Sequence, residues 1–170
     1  ELCNKMDKDE DYTKINNVWI RQNGHIIKNE LTPFVENLGK LPQADRTLFG
    51  FKKIVGDKRG WVNILAGRGC PYKCTYCINH FYTKLNKGVS SIRHRPIEHI
   101  FKEIESLEKD TEIKMINFND DLFTLKKKWM IEFCTEYKKR FNYPFACNAR
   151  PTNFDQERAD ALRDAGCQEI

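Results

Sequence analysis

Apolar positions change their period near residue 61. The first 17 residues are charged and poor in apolar side chains, without a clear repeat, so no element is assigned there. Val18, Ile20, Ile26 and Ile27 then flank Asn23-Gly24. An Asn-Gly pair between apolar runs tolerates the positive φ that a two-residue turn needs at both positions, which predicts a β-hairpin. From Leu31 to Gly60 the chain carries Pro33, Gly39, Pro42, Gly50, Gly56 and Gly60 and few periodic apolar positions. This predicts a connector lying over a surface.

Beyond Trp61 the pattern is strand, loop, helix, repeated three times. Trp61 to Ala66 is a short run for a buried strand, ended by Gly67 and Gly69. After Pro96, suited to a first helical turn, Ile97, Ile100, Phe101, Ile104 and Leu107 follow at spacings of three and four. Ile113 to Phe118 is a second strand. With Thr124 as candidate cap, Leu125, Trp129, Phe133, Tyr137 and Phe141 make an i, i+4 stripe. Phe145 to Asn148 is a third strand, Asp155 to Ala165 a third helix, and Gly166 a left-handed stop. Such alternation predicts an α/β fold with parallel strands and crossover helices, and places functional groups at the strands' carboxyl ends. Those ends are Gly67 to Asn79, Asn119 to Thr124 and Asn148 to Asn153.

Composition leaves this picture intact. The 170 residues carry 29 Lys and Arg against 24 Asp and Glu, a formal charge of +5. No run of about 18 apolar residues could span a bilayer, and residues 1–12 are too acidic and polar for a signal peptide. The expected setting is cytoplasmic and reducing. The chain starts at Glu1 rather than Met and stops soon after a helix, so it reads as a piece of a longer protein.

The seven cysteines sharpen the chemistry. Cys70, Cys74 and Cys77 fall within eight residues, spaced Cys-x3-Cys-x2-Cys, while Cys3, Cys134, Cys147 and Cys167 lie singly and read as free thiols. On a helix the clustered three would share one face and pack as small core residues. Gly67, Gly69 and Pro71 instead make the lead-in a loop. Three thiolates from one loop can hold three irons of a cubane and leave the fourth open, whereas an all-cysteine cluster needs a fourth thiolate. Zinc is the competing reading: His80 follows Cys77 as Cys-x2-His and would complete a Cys3His site, making a zinc-stabilised nucleic-acid-binding module.

The stretch Gly67-Arg68-Gly69-Cys70-Pro71-Tyr72-Lys73-Cys74-Thr75-Tyr76-Cys77 resembles the signature loop of the radical S-adenosylmethionine (SAM) superfamily, where an aromatic residue, here Tyr76, commonly precedes the third cysteine. The resemblance implies a [4Fe-4S] cluster on Cys70, Cys74 and Cys77, and SAM on the open iron. Reductive cleavage of SAM to a 5′-deoxyadenosyl radical would follow. It also implies a partial (β/α) TIM-like barrel, of which about three strand-helix units are present. Residues 1–60 are then ribbon and linker, and 61–170 the N-terminal half of the radical SAM domain. Arg93 to Glu98, Ile116 to Thr124, Asn148 to Pro151, Ala165 to Cys167 and the lead-in Leu41 to Arg46 are similar in order and spacing to the subgroup associated with cobalamin-binding domains. That subgroup implies methyl transfer or a radical rearrangement on a small-molecule substrate. The Asp-x-His-x-x-Gly motif of such cobalamin domains is absent here.

Two further strand ends carry candidate cofactor contacts. Asp120 and Asp121 match where the family places an acceptor for the SAM amino group, or they are a turn and capping pair before Thr124. Arg150 could face the SAM carboxylate, or form an ordinary salt bridge. Cations concentrate at Lys52, Lys53, Lys58 and Arg59, and at Lys84, Lys87, Arg93 and Arg95. They would steer an acidic electron donor of the flavodoxin or ferredoxin class, or simply form a solvated surface; nucleic acid is not inferred from them. As a free chain the piece is expected to be poorly soluble and inactive, with an open sheet edge.

Overall fold

The computed structural model of the protein describes residues 1–85 and 91–170; Lys87, one of the cations noted above, lies outside them. A short helix α1 (Leu2–Asp7) opens the chain. The hairpin forms as expected: β1 (Trp19–Gln22) pairs antiparallel with β2 (His25–Lys28), and the turn residues Asn23 and Gly24 have φ of 50° and 79°.

The connector holds more structure than its glycines predict. A 3-10 turn at Leu38–Lys40 is capped by the Asn37 side chain, which accepts from the Gly39 N–H at 2.9 Å. Helix α2 (Phe51–Asp57) follows. Gly50 and Gly56 hide its period, and it is secured by tertiary burial: Val55 is buried in the core and Phe51 packs against it.

The main body runs β3 (Trp61–Ile64), β4 (Gly67–Arg68), α3 (Asn79–Leu85), β5 (Arg93–His94), α4 (Ile97–Asp110), β6 (Met115–Phe118), α5 (Lys127–Arg140), β7 (Phe145–Cys147), α6 (Gln156–Asp164) and β8 (Cys167–Glu169). A second 3-10 turn, Pro151–Asn153, follows β7. Four strands form one sheet in the order β3-β6-β7-β8, every pair parallel, with helices α4, α5 and α6 in the successive connections. This is part of a (β/α) barrel, with one strand more than the pattern predicts. β8 is three residues long and carries no apolar alternation; pairing with β7 makes it a strand. The two-stranded ribbon β4–β5 pairs Gly67 with His94 and Arg68 with Arg93.

Strand alternation sorts the two faces of the sheet. Val62, Ile64, Ile116, Phe118 and Phe145 are buried with Ile100, Phe101 and Ile104 of α4 and Met130, Phe133 and Tyr137 of α5. Phe133 is the hub, its ring centroid 5.2–5.6 Å from those of Phe101, Phe118, Phe123, Trp129 and Tyr137. On the other face stand Asn63 and Asn117.

One helix end differs from expectation, and the ends of the last helix match it. α5 begins after Lys126, not Thr124. Leu122, Phe123 and Thr124 are all drawn into the core, and the Thr124 carbonyl accepts from Arg158 Nε at 3.0 Å, so the helix starts only once the chain has left the core. α6 is capped by Asp155, whose side chain accepts from the Arg158 N–H at 3.0 Å, and Gly166 ends it at φ 93°.

The connector is strapped to the barrel by charge. Glu103 of α4 is buried and pairs with Arg46 of the connector and, at 2.5 Å, with Arg95. Gln43 donates to the His99 carbonyl at 2.8 Å and accepts from Arg95 at 3.2 Å. These side chains line a cavity of about 490 Å³ beside β3.

Candidate metal centre

The loop after β4 carries Cys70, Cys74 and Cys77 at the carboxyl edge of the sheet. Its path depends on two glycines. Gly69 has φ 86°, and a Cβ there would lie 2.1 Å from the Ser91 carbonyl oxygen. Gly67 passes so close to Asp120 that a Cβ would meet Oδ1 at 3.0 Å. With both glycines, the chain leaves the sheet and turns back on the β4–β5 ribbon.

The three thiols are unbridged and partly exposed. Burial pushes the Cys70 thiol up, opposed by the Tyr72 N–H, while negative charge on Asp121, Cys77 and Cys74 raises it further. Asn79 Nδ2 lies 3.5 Å from Cys77 Sγ, and Arg150 Nη1 lies 3.6 Å from Cys74 Sγ. Arg150 also covers the Tyr72 ring at 4.0 Å and donates from Nε to Thr152 Oγ1 at 3.1 Å. Two of the three sulfurs therefore already have an N–H donor within reach.

Among the described residues no three His, Cys, Asp or Glu side chains converge as ligands of a single metal ion. Three cysteine sulfurs on one loop are the donor set that suits a cubane with one open corner, since an all-cysteine cluster takes four. His80 sits on α3 with its Nδ1 buried and, among the described residues, without a hydrogen-bond partner.

The acidic pair divides. Asp120 is buried, and its Oδ2 accepts from the Ala66 N–H at 2.9 Å, while its own carbonyl accepts from Asn148 Nδ2 at 2.8 Å. It thus ties together the carboxyl ends of β3, β6 and β7. Burial pushes its carboxyl up to about 6 against the pull of the Ala66 and Gly67 N–H groups. Asp121 is exposed, close enough to Cys70 to act on its charge, and lines a cavity of about 380 Å³ with Gly69, Asn79 and Arg93. Tyr76 projects outward, 92% exposed. The structure thus brings Arg150 and Asp121 to the cysteine loop, makes Asp120 a structural anchor beneath it, and leaves Tyr76 at the surface.

Sequence reasoning passed over the asparagines. Asn117 Nδ2 is 3.3 Å from Asn63 Oδ1 and 2.7 Å from Asn119 Oδ1, a polar row across the open face of the sheet. Its signal was the alternation Val-Asn-Ile and Ile-Asn-Phe-Asn, in which a strand of a supposedly buried sheet turns amides to one side. His94, on β5, stacks on Trp129 at 4.4 Å, and burial, helped by Lys126, holds it down at about 4. Cys134, Cys147 and Cys167 form no disulfide and belong to the core or pack against it. A hydrogen bond from Cys147 to Cys167, with burial, holds the Cys147 thiol protonated.

Four parallel strands with helices in their connections, and three cysteines on the loop after β4, define the class as a partial (β/α) barrel. Residues 64–170 match the model of the Radical SAM superfamily, and the chain belongs to that family. It is 25% identical over its whole length to an uncharacterized methyltransferase from Pyrococcus horikoshii, of which it spans 36%. Over 84% of its length it is 26% identical to the anaerobic magnesium-protoporphyrin IX monomethyl ester cyclase of Rubrivivax gelatinosus, spanning 25% of that protein. Its fold matches the radical S-adenosylmethionine methyltransferase TsrM from Kitasatospora setae, solved with tryptophan and a SAM analog, with a TM-score of 0.75 at 19% identity, over 99% of this chain and 34% of that one. The cobalamin-dependent SAM radical enzyme OxsB, with aqua-cobalamin and SAM bound, gives a TM-score of 0.68 at 20% identity, over 96% of this chain and 25% of that one. The chain therefore spans between a quarter and about a third of the length of the relatives it matches.

Proposed function

We propose that this chain carries the cluster-binding part of a radical SAM enzyme, with a [4Fe-4S] cluster held by Cys70, Cys74 and Cys77. The observation that carries this reading is the loop itself: three unbridged, partly exposed thiols on one glycine-shaped turn, with N–H donors already at two sulfurs. When bound, the cluster would supply the electron that cleaves SAM reductively.

The chain's own residues do the rest. Gly67 and Gly69 let the backbone approach the β4–β5 ribbon and so set the loop's direction. Asp120 fixes the ends of three strands beneath it. Asp121, lining the 380 Å³ cavity, offers an exposed carboxylate to a cationic amino group, and the Arg150 guanidinium offers its fork to a carboxylate. The asparagine row gives the open face amide donors and acceptors for a polar small-molecule substrate.

Methyl transfer with cobalamin is the finer reading, supported by the methyltransferase activity named for TsrM and for the Pyrococcus relative, and by the cobalamin bound in TsrM and OxsB. Residues 61–170 are then the first half of the radical SAM domain and residues 1–60 its lead-in. A flavodoxin- or ferredoxin-class protein is the proposed electron donor, meeting the exposed Lys73 and Tyr76 beside the thiols. Among the described residues no helix is long and apolar enough to cross a membrane.

Anaerobic reconstitution tests the reading. About four irons and four sulfides per chain are expected, with loss in Cys70→Ala, Cys74→Ala or Cys77→Ala. His80→Ala should leave loading unchanged; if it abolishes metal binding and the metal is zinc, the Cys3His reading replaces this one.

A further inference from the structure

Arg150 stands three residues beyond β7 and is 76 residues from Cys74 in sequence, yet three contacts fix its guanidinium against the cysteine loop. One face covers the Tyr72 ring at 4.0 Å; Nε donates to Thr152 Oγ1 at 3.1 Å; and Nη1 donates to Cys74 Sγ at 3.6 Å. A flexible side chain held in this way presents a permanent cation and a directed N–H to one chosen sulfur.

We propose that Arg150 sets the reduction potential of the cluster through the Cys74 sulfur, with Tyr72 as the platform that aims it. The inference rests on the cluster reading given under Proposed function. Reduction adds one electron to a centre whose three thiolates are already anionic, with no bond broken and no proton transferred. A cation and an N–H donor at one of those thiolates stabilise the more negative, reduced state over the oxidised one, and so raise the potential. Arg150 is a positioning and tuning residue: it touches a ligand sulfur and leaves the number of ligands unchanged.

The experiment uses the full chain, reconstituted anaerobically with iron and sulfide and titrated with dithionite as the one-electron reductant, followed by visible absorbance and electron paramagnetic resonance. Arg150→Met should keep the wild-type iron content but shift the midpoint to more negative potential. At the solution potential that half-reduces the wild type, its reduced-to-oxidised ratio should fall about tenfold, equivalent to about 59 mV for one electron. Arg150→Lys, which keeps the charge and loses the planar fork, should fall between the two. Tyr72→Leu should shift the midpoint in the same direction as Arg150→Met by a smaller amount, and Tyr72→Phe should not shift it.

A merely structural role would change iron content or melting temperature and leave the potential where it was. Equal midpoints in wild type and Arg150→Met overturn the inference alone. If Arg150→Met does not fold, equal midpoints in Tyr72→Leu and Tyr72→Phe overturn it instead. A wild-type chain that takes up no four-iron cluster overturns the cluster reading and this inference with it.

Discussion

Gly69 and Asp120 show how narrowly single residues shape the loop. A methyl group at Gly69 meets the Ser91 carbonyl oxygen and must also hold a φ of 86°. Gly69→Ala should therefore cost about 3 kcal/mol in urea unfolding and lower cluster loading in parallel. At Asp120 the prediction concerns pH. Its carboxyl is pushed from 3.8 up to about 6 by burial, so the fold prefers the protonated form. Stability should fall as pH rises from about 4 through about 6 and then level off. Asp120→Asn removes this titration. The difference in unfolding free energy between wild type and variant should drift across that window and be flat above it; a constant difference from pH 4 to 7 would count against the raised carboxyl. Gly69 was legible as a loop residue because glycine before a cysteine cluster breaks a helix. The anchoring role of Asp120 was not, because the Ala66 N–H it satisfies is 54 residues away.

At the scale of elements, the strap between connector and α4 is the feature that local sequence concealed. Glu103 lies on the buried stripe of α4 beside Ile100, Ile104 and Leu107, where the helical period alone would place an apolar residue. Its side chain is 7% exposed and is matched by Arg46 and Arg95. Glu103→Ala leaves two guanidinium groups without their acid and should cost about 3 kcal/mol. It should also speed proteolysis between residues 41 and 50. Arg46 is more exposed, and its loss leaves Glu103 paired with Arg95, so Arg46→Ala should cost about 1 kcal/mol. Equal effects of the two substitutions would contradict this ranking. The helices themselves were legible wherever an apolar stripe ran for three turns, as in α4 and α5. The short α2 and the polar β8 were not: neither has enough periodic positions to register, and each is held by packing or pairing with another element.

For the whole molecule, the cysteine loop stands outside the buried core. The buried aromatic cluster lies on the helix side of the sheet, while the three thiols stand partly exposed at its carboxyl edge. Replacing all three with alanine should change the stability of the unloaded chain by no more than about 1 kcal/mol. Loading should raise the melting midpoint of the wild type, because a group bound only by the folded state stabilises that state. The triple variant should show no such rise. Scanning calorimetry before and after anaerobic reconstitution measures both, and a large loss in the unloaded triple variant would mean that the loop is part of the core.

The order of amino acids alone determined the alternation of strands and helices, the hairpin at Asn23-Gly24 and the three cysteines on one loop. Each depends on neighbours within a few residues, through side-chain period, backbone freedom or spacing. Only the tertiary structure decided that Arg150 faces Cys74, that Asp120 holds Ala66 while Asp121 meets the cavity, that Tyr76 points outward, and that Asn63, Asn117 and Asn119 form one row. Those relations join residues from different strands. Parallel pairing, with a crossover helix between successive strands, sets which side chains meet, and no local pattern encodes that register.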